Sequence, residues 1–365
     1  MRNIEAVLFA VSLAIPRSRF RRRRFQPTVA TAAWLMVALS PGIAAAQAVS
    51  QPPAAQPPLP IDVEARPIPF FDTHDRSHLR FGSLQYRSGL VLSSNFRGFG
   101  GLSALRLDAK GERFISVSDK GMWFTGKIVY RGDTMTGVAD VEAAPMLGAD
   151  GRPLAARGWF DTESIAVDGP KVYVGIERVN QIVRFDFGKD GTRSRAEVVA
   201  TPAAVRKLPN NKGLEALVMV PKGLPLAGTL IAISERGLDP DGNLLAFLVG
   251  GPTPGQFSIR RSRDLDISDA TLLPSGDLLI LERKFSLLTG LVVRIRRLSL
   301  QSVAPGATID GPSIFDADLN YEIDNLEGLD AYVGADGATV LTMVSDDNFS
   351  LLQRTLLLQF TLVDR

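Results

Sequence analysis

An all-β chain folded as a β-propeller is the architecture this sequence predicts, on three observations. Glycine at 33, proline at 23 and only 7% aromatics among 365 residues mean many turns. From about residue 79 onward, short apolar runs alternate with Asp-Gly, Pro-Gly or Gly-Lys turn signals, and no stretch keeps a 3.6-residue period over a dozen residues. A strand-opening motif then recurs five times at intervals of 52 to 60 residues, the length of a four-stranded blade that cannot bury its faces alone.

Residues 1–48 read as an export signal: Arg17, Arg19 and the run Arg21 to Arg24, an apolar stretch from Val29 to Ala46, then Ala44-Ala45-Ala46-Gln47-Ala48 as a small-residue cleavage site. Arg22-Arg23-Arg24-Phe25 loosely fits a twin-arginine core, with Arg21 in place of the usual hydroxyl residue; the general secretory route is the alternative. The apolar stretch is nearly long enough to span a membrane, but Pro41 and Gly42 beside the Ala-x-Ala site favour cleavage over an anchor. The segment carries seven Arg against Glu5, so the chain's net charge of +2 becomes −4 without it. A periplasmic or secreted protein is expected, with no stable membrane insertion after cleavage and no nucleic-acid partner. Residues 49–78 are expected to form a proline-rich linker and lead-in, with the run Gln51 to Pro60 extended and unpacked and His74 and His78 on a mobile stretch outside any site.

Residues 79–365 hold the propeller. Its inner-strand openings align as Gly101-Leu102-Ser103-Ala104-Leu105, Thr162-Glu163-Ser164-Ile165, Gly213-Leu214-Glu215-Ala216-Leu217, Asp266-Ile267-Ser268-Asp269-Ala270 and Leu326-Glu327-Gly328-Leu329. Positions 103, 163, 215, 269 and 327 are taken as equivalent. Each opening is followed 13 to 20 residues later by a strand ending in an acid: Asp119, Glu177, Glu235, Glu282 and Asp346. Blade two shows the layout, with strands at Ser164 to Asp168, Lys171 to Glu177, Gln181 to Phe187 and Ala196 to Thr201. The 38 residues after Glu327 and the 24 between 79 and Ser103 together make about one repeat. Five blades follow, closed by pairing of a strand near Gly89 to Ser93 with Leu356 to Val363, with six as the alternative if residues 79 to 92 form more sheet.

Phe99-Gly100-Gly101-Leu102-Ser103-Ala104-Leu105 leading into Ser116-Val117-Ser118-Asp119-Lys120-Gly121, then Asp161-Thr162-Glu163-Ser164-Ile165, Asn211-Lys212-Gly213-Leu214-Glu215-Ala216-Leu217 and Asp324-Asn325-Leu326-Glu327-Gly328-Leu329, resemble the phytase-like family described as "esterase-like activity of phytase". The likeness runs over roughly residues 85 to 363. It implies an exported bacterial β-propeller acting on phosphate esters.

In a propeller the innermost strands line the axis, so one polar residue per blade converges there. Glu163, Glu215 and Glu327, with Ser103 and Asp269 as variants, form one predicted ring; Asp119, Glu177, Glu235, Glu282 and Asp346 form a second. Crowded carboxylates repel and raise one another's pKa unless a cation compensates. Oxygen donors without cysteine favour Ca²⁺, with Mg²⁺ second, over zinc. The expected metal ligands are Glu163, Glu215, Glu327 and Asp346. A small phosphorylated or other anionic ligand is expected against Lys120, Arg178, Arg236 and Arg283, which follow the acid in four blades, together with Glu177 and Glu235. Blade-to-blade salt bridges are the competing explanation for the same residues.

Other features point elsewhere. Asp346-Asp347-Asn348-Phe349 fits either a metal loop or an Asx turn, and Asp239-Pro240-Asp241-Gly242-Asn243 is expected to be a turn. Trp123 and Trp159 are expected to pack between blades. Zero cysteines exclude disulfides, thiolate zinc sites and cysteine phosphatases, and the chain contains no Gly-x-Ser-x-Gly elbow, Walker loop, HExxH or Arg-His-Gly motif. A metal-dependent hydrolase of phosphate esters is therefore the leading expectation, a non-catalytic binding or scaffolding propeller of the cell envelope the second, and a lactonase-like propeller the third.

Overall fold

The computed structural model describes residues 57–363 apart from 263, 287 and 289; the predicted signal lies outside them. Five sheets form five blades, antiparallel throughout except for the short strand Thr308–Ile309, which pairs parallel at the outer edge of blade 3. From the axis outward, blade 1 holds Leu102–Leu107, Arg113–Ser118, Met122–Arg131 and Thr134–Pro145, and blade 2 holds Thr162–Asp168, Lys171–Ile176, Gln181–Asp186 and Glu197–Val199. Blade 3 runs through Leu214–Met219, Thr229–Leu238, Leu244–Gly250 and Gly255–Ile259, and blade 4 through Asp266–Leu272, Leu278–Ser286, Gly290–Leu298 and Ser313–Asp318. Blade 5 joins the two ends of the chain: Asn325–Val333, Thr339–Asp346 and Thr355–Leu362 are followed by Leu84–Ser93, which pairs antiparallel with Thr355–Leu362.

The inner strands neighbour one another in ring order, and one apolar core fills each gap between blades. A strand buried on both faces needs an unbroken apolar run. Leu278–Ser286 shows it: Leu278 and Ile280 pack toward blade 3, while Leu279 and Leu281 pack toward blade 5. This is why the sequence alternates so little. Trp123 is fully buried between blades 1 and 2, edge-on to Phe185 and Phe187, with Trp159 against the same core.

The lead-in differs from its expectation as an unpacked linker. Leu59–Pro60 pairs with Ala143 and Glu142 at the edge of blade 1, and Glu64–Ile68 adds a fifth strand to blade 5. Phe71 then sits in an aromatic cluster with Phe81, Tyr86, Tyr321 and Phe360. His78 is anchored as well, its Nδ1 2.8 Å from Asp72 and its ring against Phe81. A proline-rich edge can bind a sheet because an edge strand needs only half of its backbone groups paired. The Asp239 segment is a turn, its carboxylate accepting the N–H groups of Asp241 and Asn243.

Candidate functional site: an acid hub at one end of the axis

Every inner strand carries a one-residue bulge against the second strand of its blade at the same place. The unpaired residues are Ser103, Glu163, Glu215, Ser268 and Glu327. A bulge re-aims the extra side chain without ending the ladder, which lets a strand buried on both faces still offer a polar group. Blade 4 thus corrects the expected ring: Ser268, not Asp269, is the equivalent of Glu215. The second ring shifts in the same blade. Ser118, Ile176, Ser234, Glu282 and Ser345 all face the residue just before the bulge, so the following residues Asp119, Glu177, Glu235, Arg283 and Asp346 are equivalent. Glu282 faces away into a buried ion pair with Arg296, at 2.5 and 2.8 Å, and Arg283 takes the acid's position.

The hub therefore gathers Asp119, Glu163, Glu177, Glu215, Glu235, Glu327 and Asp346 around Arg283. Arg283 Nη2 lies 2.7 Å from Glu327 and 3.6 Å from Glu215, and Nη1 donates to Asn325 Oδ1 at 2.9 Å. Its Nε is buried without a partner. The other cation here is Lys212, whose Nζ lies 2.7 Å from both oxygens of Glu235. Carboxyl oxygens of Glu177, Glu215 and Glu235 come within 4.8 Å of one another, and all three residues are buried.

Backbone geometry fixes these groups. The N–H groups of Asp119, Glu177 and Glu235 donate to the carbonyls of Gly101, Asp161 and Gly213, which immediately precede the inner strands. Glu177 reaches into the next blade to accept the Gly213 N–H at 2.7 Å. A Cβ at Gly213 would lie 2.0 Å from Asn180 Oδ1, so the close approach requires glycine.

Charge is left uncompensated. Burial, then repulsion from neighbouring acids, holds Glu163 and Glu215 well above the usual carboxylate range. Burial pushes Glu177 up to about 7, against the Gly213 N–H, and Asp346 up to about 8, with Glu327 adding to it. Asp119 rises to about 6 through burial, opposed by Lys120, and one of its oxygens is buried with no hydrogen bond. Glu327 is also raised, because burial outweighs the help from Arg283 and Asn325. Arg283 stays protonated: Glu327 and Glu215 outweigh its own burial.

The remaining predicted groups are dispersed. Lys120 and Arg178 are exposed at the rim, stacked over Phe349 and Phe160. Arg236 is drawn off by Asp266, which it holds through two hydrogen bonds and which Arg261 also contacts at 2.8 Å. Asp346 and Asp347 form Asx-type turns: Asp346 accepts the Asn348 N–H, while Asp347 accepts those of Phe349 and Gly101. Lys212 and Asn325 join the site without having been expected there, although both stand within the quoted motifs. Arg106 gave no signal at all. Further along the axis its guanidinium bonds Asp269 at 2.7 and 2.9 Å and the carbonyls of Leu105, Leu217, Ala270 and Leu329, linking blades 1, 3, 4 and 5.

Oxygen donors alone, arranged this closely, fit a hard divalent cation: oxygens on one Ca²⁺ at about 2.4 Å lie at most about 5 Å apart. The orphaned Asp119 oxygen and the raised acids mark the same deficit of positive charge. Fold and site together define a five-bladed propeller with an acid-rich hub at one end of its axis. The chain belongs to the phytase-like family, "esterase-like activity of phytase", whose match covers residues 97–349. No curated protein matches it. Among solved structures it is similar to the β-propeller domain of Cps50 (Swd1) from Myceliophteria thermophila, at 12% identity and TM-score 0.34, over 68% of this chain and 63% of that one. It is also similar to a Thermus putative oxidoreductase (glucose dehydrogenase), at 15% identity and TM-score 0.33, over 81% of this chain and all of that one. The Pan2 WD40 domain of Neurospora crassa matches at 11% identity and TM-score 0.33, over 73% and 90% of the two chains.

Proposed function

We propose that this phytase-like propeller is an exported, divalent-cation-dependent hydrolase of phosphate esters. The observation that carries the reading is the buried trio Glu177, Glu215 and Glu235, with oxygens within 4.8 Å, inside a cluster where acids outnumber cations. These three would hold the ion, Ca²⁺ first and Mg²⁺ second, with Glu163, Glu327 and Asp346 in the surrounding shell. When bound, such an ion supplies Lewis-acid stabilisation of phosphoryl charge and acidifies water. The chain's own groups do the rest. Arg283, fixed by Glu327 and Asn325 but with Nε unpartnered, offers a donor to a phosphoryl oxygen. Asp119, near 6 and with an unpaired oxygen, suits proton acceptance from water at neutral pH. Export rests on the pattern of residues 1–48; among the described residues no helix is long and apolar enough to cross a membrane.

The test is turnover of a phosphomonoester and diester panel with Ca²⁺ or Mg²⁺, then with EDTA. Hydrolysis lost on chelation and in Glu215→Ala supports the reading, and full activity after either change removes it. No turnover on any ester, with Ca²⁺ still raising the melting temperature, would replace it with the binding-propeller reading.

A further inference from the structure

Away from the hub, the lead-in carries a histidine in an environment that suits only its charged form. His78 places Nδ1 2.8 Å from Asp72 Oδ2 and Nε2 2.9 Å from the Arg80 carbonyl. Both neighbours are acceptors, and a neutral imidazole has one N–H, so only the imidazolium satisfies the two contacts together. Asp72 is held as a carboxylate for this contact: the Asp75 N–H, His78 and the His74 N–H keep it at about 2. The other charged or titratable groups around the ring are Asp75, Arg80, whose Nε turns to the Gly82 carbonyl, and Tyr321, edge-on across the boundary with the blade 4–5 connection. Asp72 alone touches the ring with a charge.

Asp72 is also where the lead-in crosses onto the propeller body. It bridges to Tyr321, the Glu322 N–H donates to the Phe71 carbonyl at 2.8 Å, and Thr73 Oγ1 donates to the Asn320 carbonyl at 3.1 Å. Phe71, fully buried, sets its ring into the core between blades 4 and 5. Just upstream, Glu64–Ile68 covers the strand Leu84–Ser93, the edge of the blade in which the two ends of the chain meet. Residues 64–78 are thus a strap over the ring's closing blade, and without it that strand presents an unpaired edge.

We propose that the strap is a pH-sensitive latch: protonated His78 clamps residues 71–78 to the blade 4–5 connection, and loss of the proton lets the strap open more often and bare the edge of blade 5. The sign follows from the contacts. In the closed strap Asp72, helped by the Arg80 carbonyl, raises the His78 pKa against its partial burial, whereas in an opened strap it returns to the ordinary value near 6.5. The closed form binds the proton more tightly, so the clamp is at full strength below about pH 6.5 and is lost as pH rises through the raised value.

The test is hydrogen exchange of the whole protein between about pH 5.5 and 8.5, read by mass spectrometry on a peptide covering residues 71–81 and expressed as protection relative to the unfolded chain. Wild-type protection is expected to fall about three- to ten-fold over that range, ten-fold being one unit of pKa difference. His78→Gln, which has no titrating proton there and leaves His74 in place, should show the low alkaline level at every pH. A flat wild-type profile, or the same fall persisting in His78→Gln, would overturn the latch. NMR titration of the His78 ring in the wild type gives a check that needs no variant: a pKa above 6.5 is expected, and one at or below it would also overturn the proposal.

Discussion

Two ionic clusters lie along the same axis, one deeply buried and one closer to solvent, and they are built on opposite principles. Arg106 and Asp269 are saturated: the guanidinium has a bidentate carboxylate and four carbonyls, and the carboxylate accepts the N–H groups of Ala270 and Leu329. The hub a few residues away has seven carboxylates against Arg283, Lys212 and, at the rim, Lys120, with an orphaned Asp119 oxygen and an orphaned Arg283 Nε. Buried polar groups that serve only the fold are normally satisfied. The first cluster therefore holds the blades together, while the second leaves buried polar groups unmatched, which is the contrast behind the proposed cation site.

Mutation should separate the two. Arg106→Met leaves buried Asp269 and Asp330 without their cation and is expected to cost about 3–5 kcal/mol, read as a fall in the urea midpoint; adding Asp269→Leu should recover part of it. A silent Arg106→Met would remove the distinction. Asp119→Asn, on the hub side, is expected to lower kcat about 100-fold while calcium still stabilises the protein. Loss of calcium response in that variant would make Asp119 a ligand instead of a base. Glu282→Gln breaks a saturated pair with Arg296 and should cost about 2–3 kcal/mol with calcium response intact, which checks the corrected register of blade 4. Glu215→Gln in EDTA is expected to raise stability by about 1 kcal/mol at alkaline pH, where ionisation would otherwise put a repelled charge into the buried cluster, and to abolish the calcium-induced rise in Tm. Destabilisation there would place Glu215 with the structural ions.

The smallest effect is graded with pH. Asp119, Glu177 and Asp346 keep their protons up to about 6, 7 and 8 in the fold, whereas unfolded carboxyls release them near 4. The folded chain thus binds more protons, so this contribution is full below about pH 4 and is lost as pH rises through 6 to 8. Melting in EDTA should fall across that window and be flattened by Ca²⁺. Curves that coincide with and without the ion would contradict this.

Blade number and the acid positions were legible in the sequence because the blade repeats and the hub residues repeat with it. The failures are equally physical. Blade 4 carries acids at Asp266 and Asp269 flanking its true bulge residue Ser268, and a one-residue slip turns a strand's faces over. Aligning Ser268 with Ser103 would have found it, and Arg283 with it. Arg106 was invisible because only blade 1 bears the arginine, and a partner brought across the axis leaves no period. The lead-in departs from its expectation because proline-rich composition describes the unbound backbone and says nothing about an open sheet edge nearby.

The most direct test of the hub is titration of purified protein with Ca²⁺, beside the Glu215→Gln and Glu282→Gln variants. The account predicts a saturable site in the wild type, kept by Glu282→Gln and lost in Glu215→Gln. Absence of binding for both Ca²⁺ and Mg²⁺, or binding unchanged in Glu215→Gln, would contradict it.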